Sequence, residues 1–324
     1  MYTREELKDI VNKAILNISF EADADKLYEP VKYILSMGGK RLRPIMALMS
    51  CNLFSDSIDK AIGPAIGLEV FHNFTLVHDD IMDKSVLRRG SETVHTKWGH
   101  NQAILSGDVM AFVANDCIAQ APAAVLYEVL KTYNRVAREV CIGQQLDMDF
   151  EATSYVSHEE YLRMVELKTA VLIAGSLRIG AIIGGAGPTN CDLISSFGLN
   201  QGMAFQVQDD ILDSFGDPLI FGKKIGGDIL ANKKTLLLIK AFELASGATL
   251  KKLQNLVSKN DTDPATKVDE VINIYNDLGI KSWAEDLALQ YIDRAFISLD
   301  SIVANSSRKD PLQQLTTELI QRSR

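Results

Sequence analysis

Apolar residues recur at helical spacing along almost the whole chain, and strand-like alternation bounded by turn pairs is scarce. The spacing predicts helices near residues 3–19, 24–37, 43–53, 59–83, 100–119, 122–149, 158–185, 190–214, 233–245, 248–258, 265–277, 280–303 and 310–322. Thr3 with Glu6 and Ser157 with Glu160 read as capping boxes, in which hydroxyl and carboxylate satisfy each other's backbone N–H groups at a helix start. Gly38-Gly39, Gly184 to Pro188 and the stretch from Gly216 to Asn232 punctuate the pattern. The most apolar stretch, Ala170 to Gly187, is rich in Gly and interrupted by Arg178. A membrane span needs about 20 nearly uninterrupted apolar residues, so this one reads as a buried helix within a bundle. No Pro/Gly/Ser-rich linker and no fixed-period repeat divides the chain. The expectation is one all-α domain over residues 1–324, its helices packed around a central cavity.

Two acidic clusters stand at the ends of apolar, helix-like segments: Asp79-Asp80-Ile81-Met82-Asp83 and Asp209-Asp210-Ile211-Leu212-Asp213. Both are DDxxD. Positions three and four apart share a helix face, so Asp79 or Asp80 can aim a carboxylate at the same spot as Asp83, and the second cluster can do the same. Carboxylates packed that closely repel unless a cation lies between them. A hard, oxygen-seeking ion such as Mg²⁺ suits them, and Mg²⁺ at carboxylates usually also holds substrate phosphates. Two such clusters point to a diphosphate gripped through metal ions.

Composition narrows the partners. The chain has 324 residues, 47% hydrophobic and 23% charged, which fits a globular protein with a large core. A formal net charge of −8 argues against general nucleic-acid binding, which needs local positive charge. Cys51, Cys117, Cys141 and Cys191 are widely spaced and read as buried reduced thiols. The N-terminus lacks the basic and apolar regions of a signal peptide, so a cytoplasmic location is expected.

Basic residues supply candidate phosphate contacts. Gly38-Gly39-Lys40-Arg41-Leu42-Arg43-Pro44 combines glycines that allow close backbone approach with cations, and Arg binds oxyanions bidentately. Arg88-Arg89-Gly90 follows the first acidic cluster and would take diphosphate oxygens left by the metal. Lys168-Thr169 lies within a helical segment, where Thr can bond back to a carbonyl and bend the helix. Lys223, Asp228, Lys233 and Lys234 fall in a loop that either is solvated or closes over bound diphosphate; the residues alone leave both readings open. The five histidines show no metal-ligand spacing, but His72 lies two helical turns before Asp79 and can share its face. Neither GxxxxGK[ST] nor GxGxxG is present, which speaks against ATP or NAD phosphates.

GGKRLRP at 38–44, LVHDDIMD at 76–83, RRG at 88–90, GQQLD at 143–147, KT at 168–169, FQVQDDILD at 205–213 and GKKIGGD at 222–228 stand in an order that resembles the trans-isoprenyl diphosphate synthases. The resemblance implies the all-α isoprenoid synthase fold, usually a homodimer, and elongation of an allylic diphosphate by isopentenyl diphosphate. By that resemblance Asp79, Asp80 and Asp83, with Asp209 and with Asp213 through water, would hold about three Mg²⁺ on the allylic diphosphate. Arg88, Lys168, Lys223 and Lys233 would grip the same group. Lys40, Arg43, His72 and Arg89 would bind isopentenyl diphosphate. Gln206 and Thr169 would turn oxygens toward the developing allylic cation, which with Lys168 makes them the catalytic set.

Phe74, roughly 7.5 Å along the helix from Asp79, could floor the tail cavity. An aromatic there followed by a small residue, here Thr75, resembles archaeal-type geranylgeranyl synthases. Long-chain synthases tend to have Ala in place of Phe74. A short product, with twenty carbons favoured over fifteen, is expected. Class I terpene cyclases share the first acidic motif but usually replace the second and have no use for an isopentenyl site, so the second DDILD and GGKRLRP speak against one. A head-to-head synthase of the squalene type lacks GGKRLRP. A non-catalytic partner subunit tends to lose an acidic motif, and both are intact here.

Overall fold

A computed structural model describes residues 1–20, 24–216, 225–258 and 263–321. Its elements run α1 (Arg4–Leu16), α2 (Asp25–Ser36), α3 (Leu42–Phe54), α4 (Asp59–Met82), a hairpin of β1 (Leu87–Arg88) and β2 (Ser91–Glu92), α5 (Val94–Trp98), α6 (His100–Ile118), α7 (Leu126–Ala152), α8 (His158–Val165), a π-helical turn (Glu166–Ala170), α9 (Val171–Ile183), α10 (Pro188–Phe215), α11 (Gly227–Leu230), α12 (Leu236–Leu244), α13 (Gly247–Ser258), α14 (Pro264–Asp277), α15 (Ile280–Asp300) and α16 (Ser306–Gln321). The all-α expectation holds. Both capping boxes form: Thr3 with Glu6 opens α1, and Ser157 with Glu160 opens α8.

Two features depart from the periodicity. The hairpin pairs Leu87 with Glu92 and Arg88 with Ser91. Its central residues Arg89 and Gly90 both sit at positive φ, as a tight type I′ connection requires. Strands of two residues carry no readable alternation. The helix expected over 158–185 is interrupted by the π turn, which holds Lys168 and Thr169; single π turns inside helices are frequent at functional sites.

By internal contacts the chain divides into two compact units. The first holds Met1–Ala137, Leu172–Ser195 and Ser301–Leu312. Its central element is α4, buried without a break from Pro64 to Phe71, an all-round burial that marks a core helix. Each fully buried Leu, Ile, Val or Phe there contributes roughly 1.5–3 kcal/mol relative to exposure. Helix α4 packs chiefly on α6. At Gly67 the two backbones close up, since a Cβ there would lie 2.7 Å from Ala114 O. Helix α9 meets α3, where Ser50 Oγ donates to Leu177 O at 2.6 Å.

The second unit holds Arg138–Val171, Ser196–Asp300 and Gln313–Arg324. Its core gathers Tyr161 of α8, Val207 and Ile211 of α10, Leu236 to Ile239 of α12, Val271, Ile274 and Tyr275 of α14, and Ile280 and Ala284 of α15. Among the described residues no helix is long and apolar enough to cross a membrane. Cys51, Cys117 and Cys191 are buried free thiols; Cys141, expected to be buried with them, is exposed on α7.

Candidate active site

In the first unit the acidic motif ends α4, and Asp83 caps the helix with its N–H on Asp79 O at 2.8 Å. Its three carboxylates have different surroundings. Asp79 and Asp83 are half-buried and one turn apart, whereas Asp80 is 1% exposed. Both Asp80 oxygens accept from Arg88 of β1, from Nε and from Nη2 at 2.7 Å each. Arg88 Nη2 also lies 3.8 Å from Asp79 Oδ2. Burial raises the Asp80 pKa against the opposing pull of Arg88. Burial likewise works against the Arg88 charge, yet its bonds to Asp80 and the charges of Asp79 and Asp83 hold its proton more tightly than usual. So Arg88 is already oriented, and Asp79 and Asp83 carry the outward carboxylates.

Among the described residues no three His, Cys, Asp or Glu side chains gather as a metal cage. Mg²⁺ commonly takes one or two carboxylates, with waters and substrate phosphate oxygens completing its shell, so half-buried Asp79 and Asp83 are the right donors for it.

The basic residues of this unit meet around the turn between α2 and α3. Gly38 and Gly39 have φ of 72° and 129°. A Cβ on Gly39 would lie 2.9 Å from Arg89 Nη1, and that nitrogen donates to Gly38 O; only glycine lets the guanidinium in so closely. Arg43 Nε is buried with no hydrogen-bond partner. Burial brings the Arg43 pKa down to about 10, Glu69 pulls it back up, and Arg89 pushes it down again. His72 on α4 is held neutral by burial and by the positive charges of Arg43, Arg89, Arg88 and Arg41. Lys40 is exposed on the same turn. Excess positive charge and an orphaned guanidinium N–H are what a polyanion would satisfy.

Phe74 is half-buried, with its ring edge-on to His78 at 4.9 Å between centroids and 5.6 Å from Phe71, which in turn meets Tyr133. Thr75 Oγ1 donates to His72 O at 2.7 Å.

In the second unit the acidic motif repeats the pattern of the first. Asp209 and Asp213 are half-buried and one turn apart on α10, while Asp210 is 4% exposed. Asp210 accepts from Tyr161 Oη at 2.7 Å, from Gln206 Nε2 at 3.1 Å and from Leu236 N at 3.3 Å. Burial pushes its pKa up to about 7, against the lowering effect of the Tyr161 and Gln206 bonds. Asp213 Oδ2 accepts from Asp228 N at 3.0 Å, which ties α11 to the motif.

The π turn sets out Lys168 and Thr169. Gly143 of α7 touches that turn so closely that a Cβ would lie 2.2 Å from Lys168 N. One turn on from Gly143, Asp147 Oδ2 pairs with Lys168 Nζ at 2.5 Å. Thr169 Oγ1 donates to Gln206 Oε1 at 3.4 Å rather than back to its own helix. Thr169, Gln206, Asp210 and Tyr161 thus form one hydrogen-bonded chain. Lys233 is exposed, its backbone N–H on Asp228 O at 3.0 Å. Lys234 Nζ donates to Phe150 O at 2.5 Å. Lys223 lies outside the described residues.

Motif reading gave three participants no role and grouped a fourth with the wrong partners. Asp147 had a signal, the Gly-x-x-x-Asp spacing that puts glycine at the contact and carboxylate one turn on. Tyr161 and Glu69 had none, because their partners are distant in sequence, and Arg41, grouped with its neighbours as a candidate phosphate cation, instead turns inward onto Glu69.

The family profile described as Polyprenyl synthetase matches residues 24–275. The chain belongs to the polyprenyl synthetase family. It is a prenyltransferase with the all-α isoprenoid synthase fold. Relatives include a geranylgeranyl pyrophosphate synthase of Geoglobus acetivorans, 37% identical over 98% of both chains. A geranylfarnesyl diphosphate synthase of Natronomonas pharaonis is 34% identical over 98% of this chain and 96% of its own. The crystal structure of a geranylgeranyl pyrophosphate synthetase from Pyrococcus horikoshii superposes with a TM-score of 0.92, at 34% identity over 98% and 96% of the two chains. Polyprenyl synthetases in general depend on Mg²⁺.

Proposed function

We propose that this polyprenyl synthetase condenses isopentenyl diphosphate head-to-tail with an allylic diphosphate and releases a short trans-prenyl diphosphate, geranylgeranyl ahead of farnesyl. The observation that carries the reading is the shared form of the two acidic motifs. In each, the middle aspartate is sealed inward on a protein donor, and the first and last stay half-buried one turn apart. A surface salt bridge or a solvated helix end would not repeat that division of labour.

Asp79, Asp83, Asp209 and Asp213 serve the metal on the allylic diphosphate, with Asp80 acting through Arg88. Bound Mg²⁺, about three ions by family likeness, would neutralise the departing diphosphate. Arg88, Lys168, Lys223 and Lys233 take its remaining oxygens. Preorganised charge of this kind is usually the largest catalytic term. Thr169 and Gln206 present oxygens to the allylic cation. Lys40, Arg43, His72 and Arg89 hold the isopentenyl diphosphate so that its double bond attacks that cation. The released diphosphate accepts the final proton. Phe74, with Thr75 beside it, limits the growing tail.

One polyprenyl synthase domain over residues 1–324, working in the cytoplasm as a homodimer, completes the reading. Exposed Ile104, Leu105 and Phe112 on α6 suit a contact between copies. Purified chain with Mg²⁺, labelled isopentenyl diphosphate and an allylic primer tests the proposal. A butanol-extractable product of twenty carbons is expected. Its absence with every primer from five to fifteen carbons would instead favour a partner subunit that needs a second chain.

A further inference from the structure

The turn Gly38 to Arg43 looks like a uniform run of cations, yet its three basic residues go separate ways. Lys40 is exposed, and Arg43 keeps a buried N–H without a partner. Arg41 is turned fully inward, its side chain 3% exposed. Its donors are spent on three different helices. Nη1 reaches Glu69 Oε1 of α4 at 2.7 Å, Nη2 reaches Leu35 O of α2 at 2.6 Å, and Nε reaches Asn12 Oδ1 of α1 at 3.3 Å. Arg41 also stands at the start of α3 with φ +50° and ψ +36°, a left-handed conformation that a residue with a Cβ keeps only when its surroundings enforce it.

Glu69 is 2% exposed, and its Oε1 also accepts from Asn73 Nδ2 at 3.2 Å. It lies three residues before His72 on the same helix, so the ion pair joins the turn that carries Lys40 and Arg43 to the helix that carries His72. The pair also sets the local charge. Glu69 bonds directly to Arg41 and offsets Arg43 and Arg89 only through space, so one carboxylate faces three guanidinium groups and positive charge remains for a ligand.

We propose that Arg41, through its buried pair with Glu69, is a positioning residue for isopentenyl diphosphate: it does not touch the ligand but fixes the left-handed turn that brings Lys40 and Arg43 into register with His72. The inference rests on the isopentenyl site proposed above. Lysine keeps the charge at position 41 but gathers its donors on one nitrogen, so it cannot reach acceptors spread around a planar guanidinium.

The test is equilibrium titration of isopentenyl diphosphate in EDTA, together with steady-state kinetics and thermal unfolding, for wild type, Arg41→Lys, Glu69→Gln and Arg43→Ala. Arg41→Lys and Glu69→Gln each weaken isopentenyl diphosphate by about tenfold or more in both titration and KM, while KM for the allylic substrate stays within about twofold. Because Arg41 acts in part through Arg43, adding Arg41→Lys to Arg43→Ala costs less than Arg41→Lys alone. Unchanged isopentenyl affinity with only a lower unfolding temperature overturns the proposal, and so does full additivity with Arg43→Ala. Should wild type bind isopentenyl diphosphate but make no product, while Arg41→Lys weakens that binding, the positioning role stands and the condensation reading falls. Should wild type not bind it at all, both fall.

Discussion

Arg88 spans the carboxylate of Asp80 with two hydrogen bonds of 2.7 Å, one to each oxygen. The middle aspartate of the first motif is thereby tied to a protein partner, and its surroundings differ from those of Asp79 and Asp83.

That difference should show in kinetics. Asp80→Asn keeps the shape but weakens the fork on Arg88, so KM for the allylic diphosphate rises by about tenfold, the cost of a charge-assisted pair. The Mg²⁺ concentration for half-maximal rate moves far less than in Asp79→Asn. Initial rates across a Mg²⁺ titration check this; equal shifts in both variants would make Asp80 a metal ligand too.

Phe74 stands half-buried against His78 and Phe71 rather than sealed in the core. Phe74→Ala should therefore lengthen the product beyond twenty carbons while the chain still folds. Mass spectrometry of extracted products reads it directly, and an unchanged product would remove Phe74 from the tail path.

Gly143 leaves no room for a methyl, which would sit 2.2 Å from the Lys168 backbone nitrogen. Gly143→Ala must push α7 off the π turn. Overpacking of this kind costs about 1–3 kcal/mol, and Lys168 and Thr169 shift with it. A lower denaturation midpoint with reduced turnover is expected in urea unfolding and rate assays. Wild-type values in both would mean that the contact relaxes freely.

His72 has a pKa well below the ordinary 6.5, first from burial and then from the four arginines around it. A depressed pKa means that the unfolded chain binds this proton more readily than the native one, so the contribution is intact above 6.5 and stability is lost as pH falls below it. A diphosphate placed among those arginines offsets their charge and raises the His72 pKa. Calorimetry at about pH 6 in buffers of different ionisation heat should show proton uptake with isopentenyl diphosphate, absent in His72→Gln. No difference between the two proteins would place His72 away from the ligand.

Local signals were legible where the partners are close in sequence. The capping boxes at Thr3 and Ser157 read directly because donor and acceptor lie three residues apart on one turn. The acidic motifs read as metal-facing because helical geometry places Asp79 over Asp83 and Asp209 over Asp213. Helical spacing alone does not set Asp80 or Asp210 apart from their neighbours, and the resemblance leaves only Asp210 out of the metal set. What turns them inward is Arg88 on a hairpin too short to announce itself and Tyr161, 49 positions away. The basic run from Lys40 to Arg43 looked alike along its length, and only the acceptor at Glu69, 28 positions on, distinguishes Arg41. A mid-helix Thr can bond back to its own carbonyl, but the Thr169 hydroxyl leaves the π turn for Gln206 on α10.

The most direct test is the Mg²⁺-dependent rate of label transfer from isopentenyl diphosphate to an allylic primer, measured for wild type, Asp79→Ala and Asp209→Ala with circular dichroism confirming the helices. Wild type should form product, and each variant should lose roughly 10²-fold or more of that rate with helicity intact, as removal of a metal-holding carboxylate requires. Near-wild-type turnover in either variant would contradict the assignment of that motif to the metal.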